Sequence, residues 1–216
     1  MRAIDPVCTF DEKAHRYFLK GRSALGVSQI LELAGISNFS FVNKDLLARA
    51  QNFGAAAHKA AELSDRGNLD RSSLDAPLAP YLESWEAFRA KELSEILQIE
   101  QTVYSLKFGF AGTPDRIAKD KAGRLVIVDI KTSREFHAAV KLQTAGYEIA
   151  FEEMAKAPRL KIQRRIGVIL TDTGEPYVED FGDRTDRDDF IACARIAAFK
   201  LRNGLGKTEG GGRNAS

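Results

Sequence analysis

Apolar positions recur along the chain at two spacings, and the change from one to the other orders its elements. Residues 7–10 and 16–19, separated by the polar stretch 11–15, read as a short β-hairpin. Ser28 followed by Gln29, Ile30, Leu31 and Leu33 predicts a short capped helix that stops at Gly35. Leu46, Leu47, Ala50, Phe53, Ala57 and Ala61 supply a helical apolar stripe over 43–63, which Gly67, Asn68 and the pair Ser72 and Ser73 bring to an end. A second helix over 80–93 turns Leu82, Trp85 and Phe88 toward a core. From residue 96 the period shortens, and β-branched and aromatic residues predict strands over 96–105, 110–118 and 124–130, with turns at 107–109 and 119–123. A helix over 136–155, strands over 162–171 and 177–181, and a closing helix over 188–201 complete the pattern.

Helices, then antiparallel strands, a crossover helix, further strands and a final helix predict a sheet flanked by helices, in the α/β or α+β class. A length of 216 residues suits one domain over 1–203. In it an N-terminal hairpin and helices (1–95) precede a core over about 96–181 that also uses the 43–63 helix. The Gly-rich stretch 204–216 has almost nothing to bury and reads as a disordered tail.

Composition narrows the chemistry. Lys and Arg number 32 against 30 Asp and Glu, a net charge of +2, so no global field draws the chain to a polyanion and a local groove must do so. Cys8 and Cys193 are the only cysteines and no C-x-x-C pair occurs, which excludes an iron–sulfur cluster or four-thiolate zinc site built from this chain alone. Sparse cysteine usage, no apolar run of the roughly 18 residues a membrane span needs, and no secretory h-region together predict a cytoplasmic protein without a membrane partner. No P-loop pattern is present, so ATP-driven unwinding would come from another protein.

The most informative segment is Gly112-Thr113-Pro114-Asp115, followed by Asp129-Ile130-Lys131. A short turn makes their strands neighbours, and Asp129 and Lys131 at i and i+2 share one face. Two carboxylates with a lysine beside them can form a Mg²⁺ and water site; a turn carboxylate and a solvent-facing cross-strand pair are the plainer readings. The run Leu125, Val126, Ile127, Val128, Ile130 belongs to a strand buried on both faces, where charge needs compensation, and this favours the first reading.

Pro114-Asp115 with Asp129-Ile130-Lys131 resembles the PD-(D/E)xK nuclease superfamily, in the RecB-like and phage recombination exonuclease branch. Gly54, His58 and Glu62, four apart on one helix, are similar to that branch's first motif, and Gln143 with Tyr147 matches its Gln-x-x-x-Tyr motif. The resemblance covers about 51–150, and 10–30 is similar to the lead-in of phage members. It implies a restriction-endonuclease-like core with a mixed central β-sheet flanked by helices, behind an N-terminal hairpin and helical extension. It also implies a Mg²⁺- or Mn²⁺-dependent deoxyribonuclease, an exonuclease of phage-type recombination or repair that leaves a 5′-phosphate and a 3′-hydroxyl. His58, Asp115, Asp129 and the Ile130 carbonyl are the implied metal ligands. Glu62 is a further candidate, as a ligand or as the acceptor that orients His58. Lys131 is the residue that positions water, and Gln143 and Tyr147 hold a phosphate or a carboxylate of the site.

Glu100 is an auxiliary candidate. The cluster Lys156, Arg159, Lys161, Arg164 and Arg165 reads equally as a phosphate grip for substrate and as a solvated basic face balanced by Glu179, Asp180, Asp183, Asp186, Asp188 and Asp189. DNA is the expected partner, with a recombination or helicase protein as a further one. A catalytically silent DNA- or partner-binding protein of the same fold, or a nuclease module of a larger helicase or CRISPR-type assembly, is the competing reading.

Overall fold

The computed structural model describes residues 7–37, 43–155 and 160–205. The expected hairpin is present as β1 (Cys8–Asp11) and β2 (Arg16–Leu19), and β3 (Arg22–Gly26) joins it as a third strand. Then comes α1 (Val27–Ala34), whose N-cap is Gly26 rather than Ser28. The Gln29 side chain accepts the Gly26 N–H at 2.9 Å, and Gly35 closes the helix at φ 90, a left-handed conformation glycine takes without steric cost. α2 (Lys44–Asp65) is capped by the Asn43 side chain, which accepts from the N–H groups of Asp45 and Leu46. The opening turns of α2 are exposed, so its stripe reaches the core only at Ala57, Ala60 and Ala61. α3 (Ala79–Glu92) follows two short 3₁₀ turns and buries Leu82, Trp85 and Phe88 as expected.

Two of the expected strands are each broken in two. The first becomes β4 (Leu93–Ile99) and β5 (Val103–Ser105), interrupted by Glu100 at φ 47. The second becomes β6 (Phe110–Gly112) and β7 (Arg116–Asp120), interrupted where Pro114 has no N–H to give a ladder. After them run β8 (Leu125–Lys131), α4 (Ala138–Ala155), β9 (Arg164–Ile169), β10 (Tyr177–Asp180) and α5 (Thr185–Arg202). The tail from residue 206 onward lies outside the described residues.

The breaks move the chain between two five-stranded sheets, ordered β1-β2-β3-β6-β5 and β10-β9-β8-β7-β4. Both switch points meet at one corner, where the Glu100 N–H donates to the Asp115 carbonyl at 3.0 Å. In the second sheet β8 pairs antiparallel with β7 and parallel with β9, and α4 makes the crossover that a parallel pair requires. A mixed sheet flanked by helices, with an N-terminal hairpin and helical extension, is the restriction-endonuclease-like arrangement.

Alternation along β8 divides the core. Leu125 and Ile127 face the cluster that α1, α4 and α5 build with Ile30, Leu31 and Phe190, while Val126, Val128 and Ile130 face Trp85 and Phe88 of α3. Asp129 continues the first of these faces at the end of the strand.

Close approach in the first cluster needs a glycine. A Cβ on Gly146 of α4 would lie 2.7 Å from the ring of Phe190, itself edge-on to Phe110 at 5.0 Å between centroids. Gly146→Ala is therefore expected to cost about 1–3 kcal/mol, seen as a lower urea midpoint at unchanged m-value. Gly182→Ala, with no atom within 4 Å of its Cβ, is the control and should shift the midpoint little.

Candidate active site

Beyond Val128, β8 remains paired with β9 but has no main-chain partner on its other side, because β7 starts only at Arg116. The carboxylate of Asp115 takes the vacated place, its Oδ2 accepting the Ile130 N–H at 2.6 Å. Its Oδ1 lies 3.3 Å from His58 Nδ1. Burial works against ionisation of Asp115, but the His58 imidazole, the Lys131 ammonium and the Ile130 N–H outweigh it and lower its pKa to about 2. Burial alone would lower the His58 pKa; the Asp115 carboxylate beside it leaves it raised.

Asp129 is 1% exposed, and Lys131 Nζ lies 2.5 Å from its Oδ2. The contact is a close, charge-assisted ion pair, with the Lys131 ammonium as the donor facing that buried oxygen. Burial raises the pKa of Asp129, Lys131 pulls it down and the Asp115 charge adds to the rise, leaving it above the ordinary value. For Lys131 burial is opposed by the charges of Asp129 and Asp115, which hold its pKa above the usual lysine value.

α2 brings His58 to this strand end by two contacts on one side of the helix. One turn before His58, Gly54 faces Thr132, whose Oγ1 would be 3.2 Å from an added Cβ. Two turns after it, the buried Asp65 carboxylate accepts from Arg116 Nε (2.7 Å) and Trp85 Nε1 (3.0 Å). Arg116, the residue after Asp115, also donates from Nη1 to the Asp115 carbonyl at 2.7 Å and lies against the Trp85 ring. Helix and strand are thus fixed to each other beside the His58 and Asp115 pair.

From α4, Gln143 Nε2 donates to the Tyr147 hydroxyl at 2.8 Å. Burial, with the Asp129 charge nearby, holds the Tyr147 pKa well above that of a free phenol. The ring of Tyr147 fits because position 112 is glycine: an added Cβ would lie 2.5 Å from it. Opposite stands a wall from the first sheet, where the Tyr17 hydroxyl and Thr113 Oγ1 are hydrogen-bonded at 2.9 Å.

Together these groups line one cleft of about 310 Å³, containing His58, Asp115, Asp129, Lys131, Gln143 and Tyr147. The structure thus brings together every expected site side chain of the two strands and of α4, along with His58. It does not bring Glu62, whose carboxylate binds Lys59 (2.8 Å) and Arg66 (2.9 Å) along α2, and Asp115 takes the place of acceptor to His58. The expected substrate contacts Arg164 and Arg165 are also corrected. Arg164 is bound by Asp180, Asp120 and Glu92, and Arg165 is buried against Glu148 and Asp186, so neither guanidinium is offered to a phosphate. Lys161 is exposed but does not line the cleft, while Lys156 and Arg159 lie outside the described residues. Glu100 contributes its main chain to the corner rather than its carboxylate to the cleft.

Sequence reasoning did not find Tyr17, Thr113 and Gln29 in the lining, nor the Asp65 and Arg116 anchor. Alternation in β2 marks Tyr17 as inward-facing, so that signal was available; a pair 51 positions apart such as Asp65 and Arg116 leaves none. Among the described residues no three His, Cys, Asp or Glu side chains converge tightly enough to hold a metal between them, and the Asp129 carboxylate faces Lys131. No helix among them is long and apolar enough to cross a membrane.

The depressed pKa of Asp115 has a consequence for acid stability. Its contribution is present above the unfolded value near 3.8 and is lost as the pH falls toward about 2. The raised pKa of Asp129 acts with opposite sign and offsets part of this loss. In chelator, Asp115→Asn should flatten the fall in unfolding free energy between about pH 4 and 2 by on the order of 2 kcal/mol, read from urea titrations at successive pH values.

A family model described as the PD-(D/E)XK nuclease superfamily matches residues 29–206. No curated protein sequence matches significantly. Among solved structures, a protein from Eubacterium rectale proposed to be an exonuclease is 12% identical and aligns over 85% of this chain and 83% of its own, with a TM-score of 0.53. An alkaline exonuclease from Laribacter hongkongensis is 11% identical over 84% and 89% of the two chains, with a TM-score of 0.45. At 12% identity the first likeness is one of fold. The matched stretch runs from α1 past the end of α5 and contains both sheet-switching strands and the α2 helix, and the chain belongs to the PD-(D/E)XK nuclease superfamily.

Proposed function

We propose that the protein is a metal-dependent DNA exonuclease that hydrolyses phosphodiester bonds in the cleft between its two sheets. The observation that carries this reading is the convergence of the His58 and Asp115 pair, the Asp129 and Lys131 pair, and the Gln143 and Tyr147 pair on one cleft of about 310 Å³. That volume is at the lower end for small-molecule pockets and is a fit for one nucleotide unit at a chain end. The Eubacterium rectale protein's proposed activity agrees with this reading.

The donor set suits Mg²⁺ or Mn²⁺: the carboxylates of Asp115 and Asp129, a main-chain carbonyl and an imidazole, with both carboxylates and His58 lining one cleft. Asp115, Asp129, the Ile130 carbonyl and His58 would hold the ion. The Ile130 carbonyl leaves β8 on the same side as its N–H, toward Asp115. When bound, the cation supplies a lowered pKa for its water and offsets charge on the pentacovalent phosphorus.

The remaining work belongs to the chain. Lys131, kept protonated by its two carboxylate neighbours, holds the attacking water by donating to its oxygen and shares the developing negative charge. Asp115 stays ionised throughout the neutral range because its pKa is about 2. Tyr147 accepts from Gln143 and so keeps its own proton for a phosphate oxygen, while burial stops that phenol from ionising. The acids, lysine and histidine all meet at one place, which speaks against a silent DNA-binding role. Action in phage-type recombination or repair, beside a recombination or helicase partner, rests on the branch resemblance.

Asp129→Ala and Lys131→Ala are each expected to lower hydrolysis of end-labelled linear DNA on the order of a thousandfold with the fold intact. Covalently closed circles should resist the wild type, and chelator should abolish cleavage. Full activity in purified Lys131→Ala, or cutting of closed circles as fast as linear DNA, would sink the corresponding half of the reading.

Gln143→Ala and Tyr147→Phe separate substrate contact from metal binding. Both should slow cleavage roughly five- to thirtyfold, by about 1–2 kcal/mol, while calorimetric Mn²⁺ affinity stays near that of the wild type. His58→Ala should instead weaken the metal affinity.

A further inference from the structure

One group in the cleft has no part in the chemistry above. His15 lies in the turn between β1 and β2, is exposed, and lines the cleft that holds Asp115, Asp129 and Lys131. Its φ is 48, in the left-handed region that costs a non-glycine residue free energy and is kept where the surroundings enforce it. Here they do. Asp11 Oδ1 accepts from the N–H groups of Lys13 (3.0 Å) and Ala14 (3.1 Å), which locks the turn. The imidazole rests edge-on against Phe10, centroids 5.2 Å apart, and Phe10 packs on Tyr17 at 4.6 Å. Tyr17 in turn is tied to Thr113, two residues before Asp115, so the turn is linked through rings and a hydroxyl to the reacting end of the cleft.

An exposed planar ring, held rigid beside a cleft of one-nucleotide size, is what a splayed-out base uses as a stacking platform. The rest of this wall, Tyr17, Ser28, Gln29 and Thr113, offers hydroxyl and amide groups and no cation, which suits a nucleoside rather than a phosphate backbone. We propose that His15 is a substrate-specificity residue: its imidazole stacks on the base of the nucleotide unit entering the cleft, so that the N-terminal hairpin reads the presence of that base. This rests on the nuclease reading of the same cleft.

The test removes the ring and the base separately. His15→Asn deletes the ring while keeping a residue that tolerates positive φ; His15→Phe keeps a ring face without ring nitrogens. Each is compared with the wild type on single-stranded oligonucleotides whose terminal unit is normal or abasic, by fluorescence anisotropy in chelator and by KM and kcat with Mg²⁺. Stacking predicts that the abasic unit weakens wild-type binding roughly five- to tenfold. In His15→Asn that difference should vanish through a higher KM at similar kcat, and His15→Phe should restore it. An abasic penalty of equal size in His15→Asn and wild type overturns the proposal. So does a His15→Phe variant as weak as His15→Asn on both oligonucleotides, which would assign the ring nitrogens to a phosphate. Because the anisotropy series needs no turnover, an inactive wild type would defeat the nuclease reading and still leave the stacking result readable.

Discussion

The bond from the Ile130 N–H to the Asp115 carboxylate is the constraint on which the site depends. A buried strand cannot leave a main-chain donor without a partner, since the loss costs about 1–3 kcal/mol. β7 does not extend far enough to supply a carbonyl there, and a side chain at the switch point does so instead. That replacement adds to the larger pull of His58 and Lys131 in keeping Asp115 charged, and it leaves the second carboxylate oxygen facing His58. The geometry of the cleft thus follows in part from satisfying the sheet. Pro114 has the same logic: it ends the ladder at the point where the carboxylate must take over.

Buried charge recurs away from the cleft, with a different purpose. Arg165 meets Glu148 and Asp186 between α4, β9 and α5, Arg187 continues the chain to Glu148 and Glu152, and Arg164 binds three acids at the other side of β9. Removing a member of the buried set Arg165, Glu148 and Asp186 would strand its partners in low dielectric, so these three fix how α4 and α5 sit on the sheet. The charges of the cleft line an open pocket, whereas these three are enclosed between helices and sheet. This difference separates the two sets of ionised residues, although a sequence shows both as scattered Lys, Arg, Asp and Glu.

Much of the fold was legible because its signals are local. The hairpin, the helices around Ile30, Trp85 and Tyr147, and the apolar run of β8 follow from periodicity and turn residues within a dozen positions. What was misread depends on distant partners. The strands over 96–105 and 110–118 look continuous until the corner between two sheets is known, and α2 carries an apolar stripe whose first turns are exposed. In the site, the motif residues Asp115, Asp129, Lys131, His58, Gln143 and Tyr147 were named from sequence and do converge, whereas Glu62 shares the helical spacing but is held by Lys59 and Arg66. For Arg164 and Arg165 the sequence offered a phosphate grip and an acid-balanced face equally; Asp180 and Asp186 of that acidic stretch do bind them, while Glu92, Asp120 and Glu148 lie on other elements and complete the pairing.

The sheet-switching corner also has a meaning for the order in which the molecule can assemble. The Asp115 and Ile130 contact closes 15 positions, the Asp65 and Arg116 pair 51, and the Tyr17 and Thr113 hydrogen bond 96. Loop-closure entropy grows with these separations, so the β7 and β8 hairpin with its acids is the least costly part to form and the N-terminal wall the most costly. The acids of the cleft thus rest on its most local long-range contact and the Tyr17 wall on its most distant one, so the cleft is complete only when both ends of this range of separations are closed.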